Sequence, residues 1–245
     1  MVWDDPAVDW SSFELVVVRE PWDYTERREE FVAWAEALGD RIVNPPEVLR
    51  WNTDKRYLAD LDAAGLPVVP TTFLEPGAVI VLPDGPCVIK PTVSGGSRNT
   101  ARHDDPRAAA EHTQQLLDDG WVVMAQPYVA DVDTAGETAL VYFEGVYDHA
   151  IRKAPLLLDG TAAVDGLFAP ETIEPREPRP VEREVGDAVI AEVQRRFGRL
   201  LYARVDLVGE QPAVLELELT EPSLFFAHSD GAAERYAAAI RARLG

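Results

Sequence analysis

The chain has one cysteine in 245 residues, Cys87, so no internal disulfide can form and no cysteine cluster can hold a metal. Cys87 lies in the apolar run Cys87-Val88-Ile89 and reads as a small core residue, with thiol reactivity the minor alternative. Lysine is nearly as scarce: Lys55, Lys90 and Lys153 are the only three among 23 basic residues, the rest being arginine. Genome composition can favour arginine everywhere, so the bias alone says nothing of function. It does make the three lysines worth locating, because a compact, rotatable ammonium is not equivalent to a guanidinium. Positive charge is short overall, with 23 Lys and Arg against 43 Asp and Glu and a formal net charge of −20. That balance repels phosphate backbones and anionic membranes, which excludes general nucleic-acid or membrane-surface binding and leaves any phosphate ligand to local cations. No apolar run approaches a membrane span and nothing at the start reads as a signal peptide, so cytoplasmic residence is expected. The four histidines, His103, His112, His149 and His228, have no metal-like spacing. Internal repeats and low-complexity segments are also lacking.

What is present is densest between Leu201 and Ser223, LYARVDLVGEQPAVLELELTEPS. Alternation predicts two strands, 202–208 and 214–220, around a Gly/Pro turn at 209–213. On the second strand Leu215, Leu217 and Leu219 face one way and Glu216, Glu218 and Thr220 the other. An odd loop of about five residues sets Asp206 opposite Glu216 and Arg204 opposite Glu218; an even loop would set Asp206 against a leucine. Three carboxylates on one patch repel each other and need water, Arg204 or a hard cation, and oxygen ligands spaced this way suit Mg²⁺. The alternative is a half-exposed hairpin with a solvated acidic side.

Elsewhere the pattern alternates strands and helices. A strand at 13–18 leads to a loop carrying Trp22, Asp23 and Tyr24, placed where open α/β sheets bind ligands, although Trp22 could equally pack under the next helix. A helix at 26–38 and a strand at 41–43 follow. Asn52 or Thr53 is expected to cap a helix with Tyr57, Leu58 and Leu61 inward, closed by Gly65. Lys55 then falls in the first turn, where the helix dipole disfavours a cation and a partner is invited, though exposed lysines are common there. A strand at 66–73 precedes a strand at 86–91 that ends in Lys90. It runs out into Ser94, Gly95, Gly96 and Ser97, a loop that can offer N–H groups and hydroxyls to an anion or serve simply as a turn; no G-K-[ST] follows, so it is not a Walker A loop. A helix opens at Asp105-Pro106 and closes at Gly120. Next come a strand at 121–126, the segment QPYVADVD, and strands 137–143 and 146–153 about Glu144-Gly145, the second closed by Arg152 and Lys153. Residues 154–180 are expected to be irregular, a lid, a binding loop or disordered. Helices at 181–197 and from about 230 complete the chain around the acidic hairpin.

The order of these features, carried by NPPEVLRWNTDKRYL, VIKPTVSGGSRNT, QPYV and LELELTEPS, resembles the ATP-grasp superfamily of carboxylate–amine ligases. Within it the chain is similar to the branch of glutathione synthetase and ribosomal-protein glutamate ligases, and there to cyclo-ligases of the O-ureido-D-serine, D-cycloserine-forming kind. The resemblance implies an α+β ATP-grasp fold at 46–245, two α+β subdomains clamping ATP at about 66–128 and 129–245, preceded by a partial α/β pre-ATP-grasp domain at 1–45. It implies that Lys55 and Lys90 contact the nucleotide phosphates and that Ser94, Gly95, Gly96 and Ser97 close over them. It places Gln126, Tyr128 and Val129 at the adenine hinge and Asp131 or Asp133 at the ribose. Asp206, Glu216 and Glu218 match the Mg²⁺ (or Mn²⁺) ligands, relatives commonly having Asn at the last. Arg152 and Arg204 would stabilise the transferred phosphoryl group, with Lys153 a companion. The implied reaction makes an acyl phosphate from ATP and a small amino-acid-like carboxylate, then joins it to an amine, between molecules or by ring closure, in a chain for which a homodimer is the general prior. Relatives begin with a further strand and helix before Val2-Trp3, so the carboxylate pocket is expected to be short of that part. A nucleotide-binding protein without ligase activity is the alternative, and an acidic interaction module the third reading.

Overall fold

The computed structural model describes residues 1–96, 98–155 and 172–244. Strands β1 (Val16–Val17) and β2 (Ile42–Val43) pair in parallel, joined through a 3-10 turn at Trp22–Glu26 and helix α1 (Arg28–Leu38). Phe31, Val32, Ala35 and Leu38 recur at helical spacing and are buried. Phe31 stacks on Tyr24 with centroids 5.1 Å apart, and Trp34 stacks on Phe31 at 5.5 Å. This aromatic packing fixes the 22–24 segment.

Where one helix was expected there are two, α2 (Pro46–Asn52) and α3 (Tyr57–Ala63). Pro46 starts α2 at the first helical position, where a missing N–H costs nothing, so Asn52 ends a helix instead of capping one. Lys55 lies in the turn between them.

A four-stranded antiparallel sheet follows, ordered β3 (Thr72–Leu74), β6 (Val123–Pro127), β4 (Cys87–Pro91), β5 (Ala101–His103). Its covering helix α4 (Pro106–Asp118) is capped by Asp105, which accepts from Arg107 N–H. The expected strand at 66–73 shrinks to Thr72–Leu74, because Val68 and Val69 bond instead to Val214, and β5 was not foreseen.

The short α5 (Val132–Ala135) leads into a five-stranded sheet in the order β11, β10, β7, β8, β9, built from β7 (Glu137–Phe143), β8 (Val146–Lys153), β9 (Ile173–Pro175), β10 (Tyr202–Val208) and β11 (Ala213–Glu218). Helices α6 (Pro180–Phe197) and α7 (Ala232–Ala242) complete the chain. On α6, Gly186 lets the helix approach β7: a Cβ there would lie 2.4 Å from Leu140. Glu144 and Gly145 both take positive φ, 53° and 74°, the hairpin turn expected of them. Of the segment expected to be irregular, 156–171 lies outside the described residues, whereas Ile173–Pro175 pairs with β8 as an edge strand.

Arg204 pairs with Glu218 and Asp206 with Glu216, but not through the expected odd loop: the strands close with Val208 opposite Ala213, around the even loop 209–212. A bulge after Asp206 moves Leu207 opposite Val214. Leu217 and Leu219 join the core, while Leu215 stays half-buried and lines a cavity, a departure from the leucine face expected of it. β11 is an edge strand, and side chains cover its open backbone groups. Asn52 donates to Leu217 O at 2.7 Å and accepts from Leu219 N at 2.7 Å, and the Tyr57 hydroxyl accepts from Leu217 N at 2.9 Å. Asn44, fully buried, joins the first unit to the sheet through Leu201 N, Tyr202 O and Leu219 O.

Candidate active site

One deep cavity lies between the two larger sheets, lined from the small sheet by Val88, Lys90, Gln126, Pro127 and Tyr128, and from the large sheet by Glu137, Lys153, Arg204, Val208, Leu215, Glu216 and Glu218. Asn52, Lys55, Tyr57, Ser94, Gly95 and Gly96 also contribute, as do Trp22, Tyr24, Glu221, Ser223 and Phe225. The acidic hairpin and all three lysines therefore meet in one place.

Arg204 is the centre of the charge network. Its guanidinium donates to Asp206 through Nε at 2.8 Å and NH2 at 2.9 Å, to Glu218, and to the Ser223 carbonyl at 3.1 Å. Lys153 Nζ lies 2.6 Å from Asp206 Oδ2 and 3.7 Å from Glu137. Lys55 Nζ reaches Glu216 at 3.1 Å and the Ser94 carbonyl at 2.7 Å. The partner that Lys55 was expected to need is thus Glu216.

The four carboxylates respond differently. Burial opposes ionisation of Asp206, but Arg204 and Lys153 outweigh it and hold the group at about 2. Glu216 is lowered: burial raises it, and Lys55 and Lys90 more than reverse this. Glu218 is pushed up to about 8, first by burial, with Glu216 and Asp206 adding to it against Arg204. Burial also raises Glu137, against Lys153.

Lys90 is buried and makes no ion pair with any described residue. Burial lowers its pKa, as expected of an ammonium awaiting an anion. Gln126 donates to Thr71 Oγ1 at 2.9 Å, but its Oε1 is buried with no hydrogen-bond partner. An unanswered ammonium and an unanswered acceptor in one cavity fit a phosphate-bearing ligand with an amino group at its other end. On the facing wall Asp206, Glu216 and Glu218 each offer an oxygen within 4.8 Å of the others, an anionic oxygen set of the kind Mg²⁺ takes.

Several expected residues go elsewhere. Arg152 and Lys153 are neighbours on β8 and so face opposite ways. Lys153, opposite Glu137, enters the cavity; Arg152 turns out to donate to Ala135 O at 2.9 Å and Thr134 O at 3.1 Å, closing the end of α5. Asp131 accepts from Glu210 N at 2.7 Å, and Asp133 accepts from the Tyr128 hydroxyl, so neither lines the cavity, and Val132 between them does. The Tyr128 N–H, expected at adenine, donates to Pro86 O at 2.8 Å, while Tyr128 and Val129 still line that end. The Tyr128 ring lies under the Arg102 guanidinium at 3.8 Å; burial, then Asp133, pushes its phenol up to about 12. Ser97 lies outside the described residues. Trp22 and Tyr24, from the loop expected at a ligand-binding edge, do line the cavity; Glu137 and Glu221 were not singled out, because nothing local distinguishes them from other strand and loop residues.

Residues 1–44 match the model of the N-terminal domain of D-cycloserine synthetase DcsG. The chain is 41% identical over 263 residues to the cycloserine biosynthesis protein DcsG of Streptomyces lavendulae, covering 99% of this chain and 87% of that protein. The chain belongs to the DcsG family. The DcsG crystal structure superposes with a TM-score of 0.88 at 40% identity, covering 99% of this chain and 88% of that one. The ATP-complexed D-alanine–D-alanine ligase of Bacillus anthracis shares the fold, with a TM-score of 0.63 at 17% identity, covering 91% of this chain and 81% of that one. As a DcsG-family protein the chain is an ATP-grasp ligase with an α+β architecture. Among the described residues no helix is long and apolar enough to cross a membrane.

Proposed function

We propose that this DcsG-family ligase closes a ring within one small amino acid, forming a cycloserine-type product through an acyl phosphate. The observation that carries the chemistry is the unpaired Lys90 in a cavity shared with the carboxylates of the hairpin. Likeness to D-cycloserine synthetase supports the ring-closing outcome, with O-ureido-D-serine the expected substrate.

In this reading a substrate carboxylate attacks the γ-phosphorus of ATP, giving ADP and an acyl phosphate; the alkoxy nitrogen of the same molecule then attacks the acyl carbon and phosphate leaves, and water hydrolyses the carbamoyl group from that nitrogen, releasing it as carbamate, which breaks down to CO₂ and ammonia. Lys90 and Lys55 hold the phosphates, and Ser94, Gly95 and Gly96 cover them. Gln126 accepts from the adenine amino group, with Tyr128 and Val129 beside the ring. Arg204 and Lys153 neutralise charge on the transferred group, and each must exchange a carboxylate partner to do so. Such positioning and neutralisation suffice for phosphoryl transfer, so no protein nucleophile is needed. Mg²⁺ or Mn²⁺ held by Asp206, Glu216 and Glu218 would supply further neutralisation of phosphate charge. Residues 1–45 form the wall nearest the amino-acid substrate and 46–245 the nucleotide clamp. Cytoplasmic location and a homodimer belong to the same reading.

The test is ADP release with O-ureido-D-serine as substrate, with D-cycloserine followed by mass spectrometry. ADP and D-cycloserine appearing together are expected. ADP released only when a separate amine is added would sink ring closure and leave an intermolecular ligase.

A further inference from the structure

We propose that Glu221 seats the protonated α-amino group of the substrate, at the end of the cavity opposite the hinge, and thereby keeps that nitrogen out of the ring-forming step. The proposal rests on the ligase reading and names its substrate class: an α-amino acid with a second nitrogen in its side chain.

Strand geometry separates the two ends. β11 starts opposite Val208, close to the point where Glu210 N bonds Asp131 beside the hinge. It then runs away from the hinge through Glu216 and Glu218. At about 3.3 Å per residue β11 spans roughly 16 Å from Ala213 to Glu218, and Glu221 lies three residues beyond its end. The backbone around it is pinned. Thr220 O accepts from the Tyr202 hydroxyl at 2.8 Å, Ser223 O from Arg204 at 3.1 Å, and Leu224 O from His149 at 3.1 Å. Phe225 holds a left-handed backbone at φ 47°, which a phenylalanine adopts only where its surroundings over-determine it.

The chemistry of this end differs from the rest of the cavity. Tyr24 borders Glu221, with the charges of Lys55 and Arg204 within range of it; Trp22 and Phe225 line the same cavity, Arg204 lying over the Phe225 ring at 5.4 Å, and Glu221 makes no ion pair with any described residue. Its neighbour is the phenol of Tyr24, itself 3% exposed and held by Phe31. A carboxylate among aromatic rings selects a compact cation, since the carboxylate supplies charge-assisted hydrogen bonds and the ring faces attract an ammonium. A substrate carboxylate is repelled from Glu221 and drawn to Arg204 and Lys153. The two poles of a zwitterion are thus oriented by two opposite charges. An ammonium has no lone pair, so a group anchored at Glu221 cannot attack the acyl phosphate, and the attacking nitrogen must be the other one.

The test is calorimetric binding to the ADP- and Mg²⁺-loaded full chain of two matched pairs, each with and without the amine: D-cycloserine with isoxazolidin-3-one, and D-serine with 3-hydroxypropanoate. The wild type is expected to prefer the amine by about 100-fold, as a buried charge-assisted contact gives. Glu221→Gln is expected to reduce that preference to within about 3-fold, while Glu221→Asp retains most of it. ADP affinity within about 2-fold of wild type reports that each variant is folded. No amine preference in the wild type, a preference surviving in Glu221→Gln, or binding of neither pair overturns the proposal. Binding of the serine pair with its amine preference intact, without binding of the cycloserine pair, supports Glu221 and counts instead against ring closure.

Discussion

On the hairpin wall of the cavity Asp206, Glu216 and Glu218 are already answered by Arg204, Lys55 and Lys153, whereas the small-sheet wall presents Lys90 unpaired and Gln126 with an open acceptor. The first wall is charged on both sides and compensates itself. The second is poised for a ligand and contributes little to the folded state beyond its strand backbone. Stability and affinity should therefore separate: damage to the hairpin wall unfolds the chain, and damage to the lysine wall empties it.

The largest effect is expected from Arg204→Ala. It leaves Asp206, 1% exposed, with one cation in place of two and Glu218 with none of its own, and breaking a buried pair costs about 3–5 kcal/mol. In a chain of this size that lowers Tm by roughly 10 °C, measured by calorimetry without ligand. A loss below about 1 kcal/mol would end the claim that this wall holds the fold.

Lys90→Ala should do the reverse. ATP affinity falls roughly 30-fold by titration calorimetry, the loss of a charge-assisted phosphate contact, while ligand-free Tm is unchanged or slightly higher because a buried, unpaired ammonium is gone. Unchanged ATP affinity would count against the phosphate role.

Glu218→Gln sharpens the comparison inside the hairpin wall. The folded carboxyl sits near 8, above its ordinary 4.5, so its contribution to stability is present below 4.5 and is lost as pH rises through about 8. Asp206 behaves oppositely: held near 2 against 3.8, it contributes above 3.8 and loses that only as pH falls through about 2. The metal-free wild type should therefore lose Tm between pH 4.5 and 8, by a few degrees, and Mg²⁺ should restore it. Glu218→Gln reduces that fall, leaving the share of Glu221, which burial pushes up to about 7, and raises the Mg²⁺ concentration needed for ATP binding. A slope unchanged in the variant would place the titration elsewhere.

The smallest effect is expected from Arg152→Ala. Its contacts close α5 and do not enter the cavity, so ADP release should stay within about twofold and stability within about 1 kcal/mol. A large fall in turnover would return Arg152 to the site.

The faces of the hairpin were readable because alternation is local; its register was not, since the loop 209–212 is even and only the bulge between Asp206 and Leu207 brings Asp206 opposite Glu216. Lys55 was half-readable, since an ammonium near a helix start is visibly out of place although its partner Glu216 is not visible. Choosing between Arg152 and Lys153 was beyond reach. Alternation shows that they oppose each other, but only the neighbouring strand shows which side is the cavity. The same holds for Asp131 and Asp133, whose acceptors are taken by Glu210 N–H and the Tyr128 hydroxyl.

By itself the sequence determined most of the order of strands and helices around the site, the carboxylate face of the hairpin, and the resemblance to ATP-grasp ligases, because period, spacing and motif order survive in one dimension. Tertiary structure decided which charges meet. Asn52 and Tyr57 seal the edge of β11 across about 160 residues of chain, and Tyr24 is brought to Glu221 across nearly the whole length. Such contacts are set by packing of distant surfaces, whose energy depends on burial and distance in space, and neither is written in the order of residues.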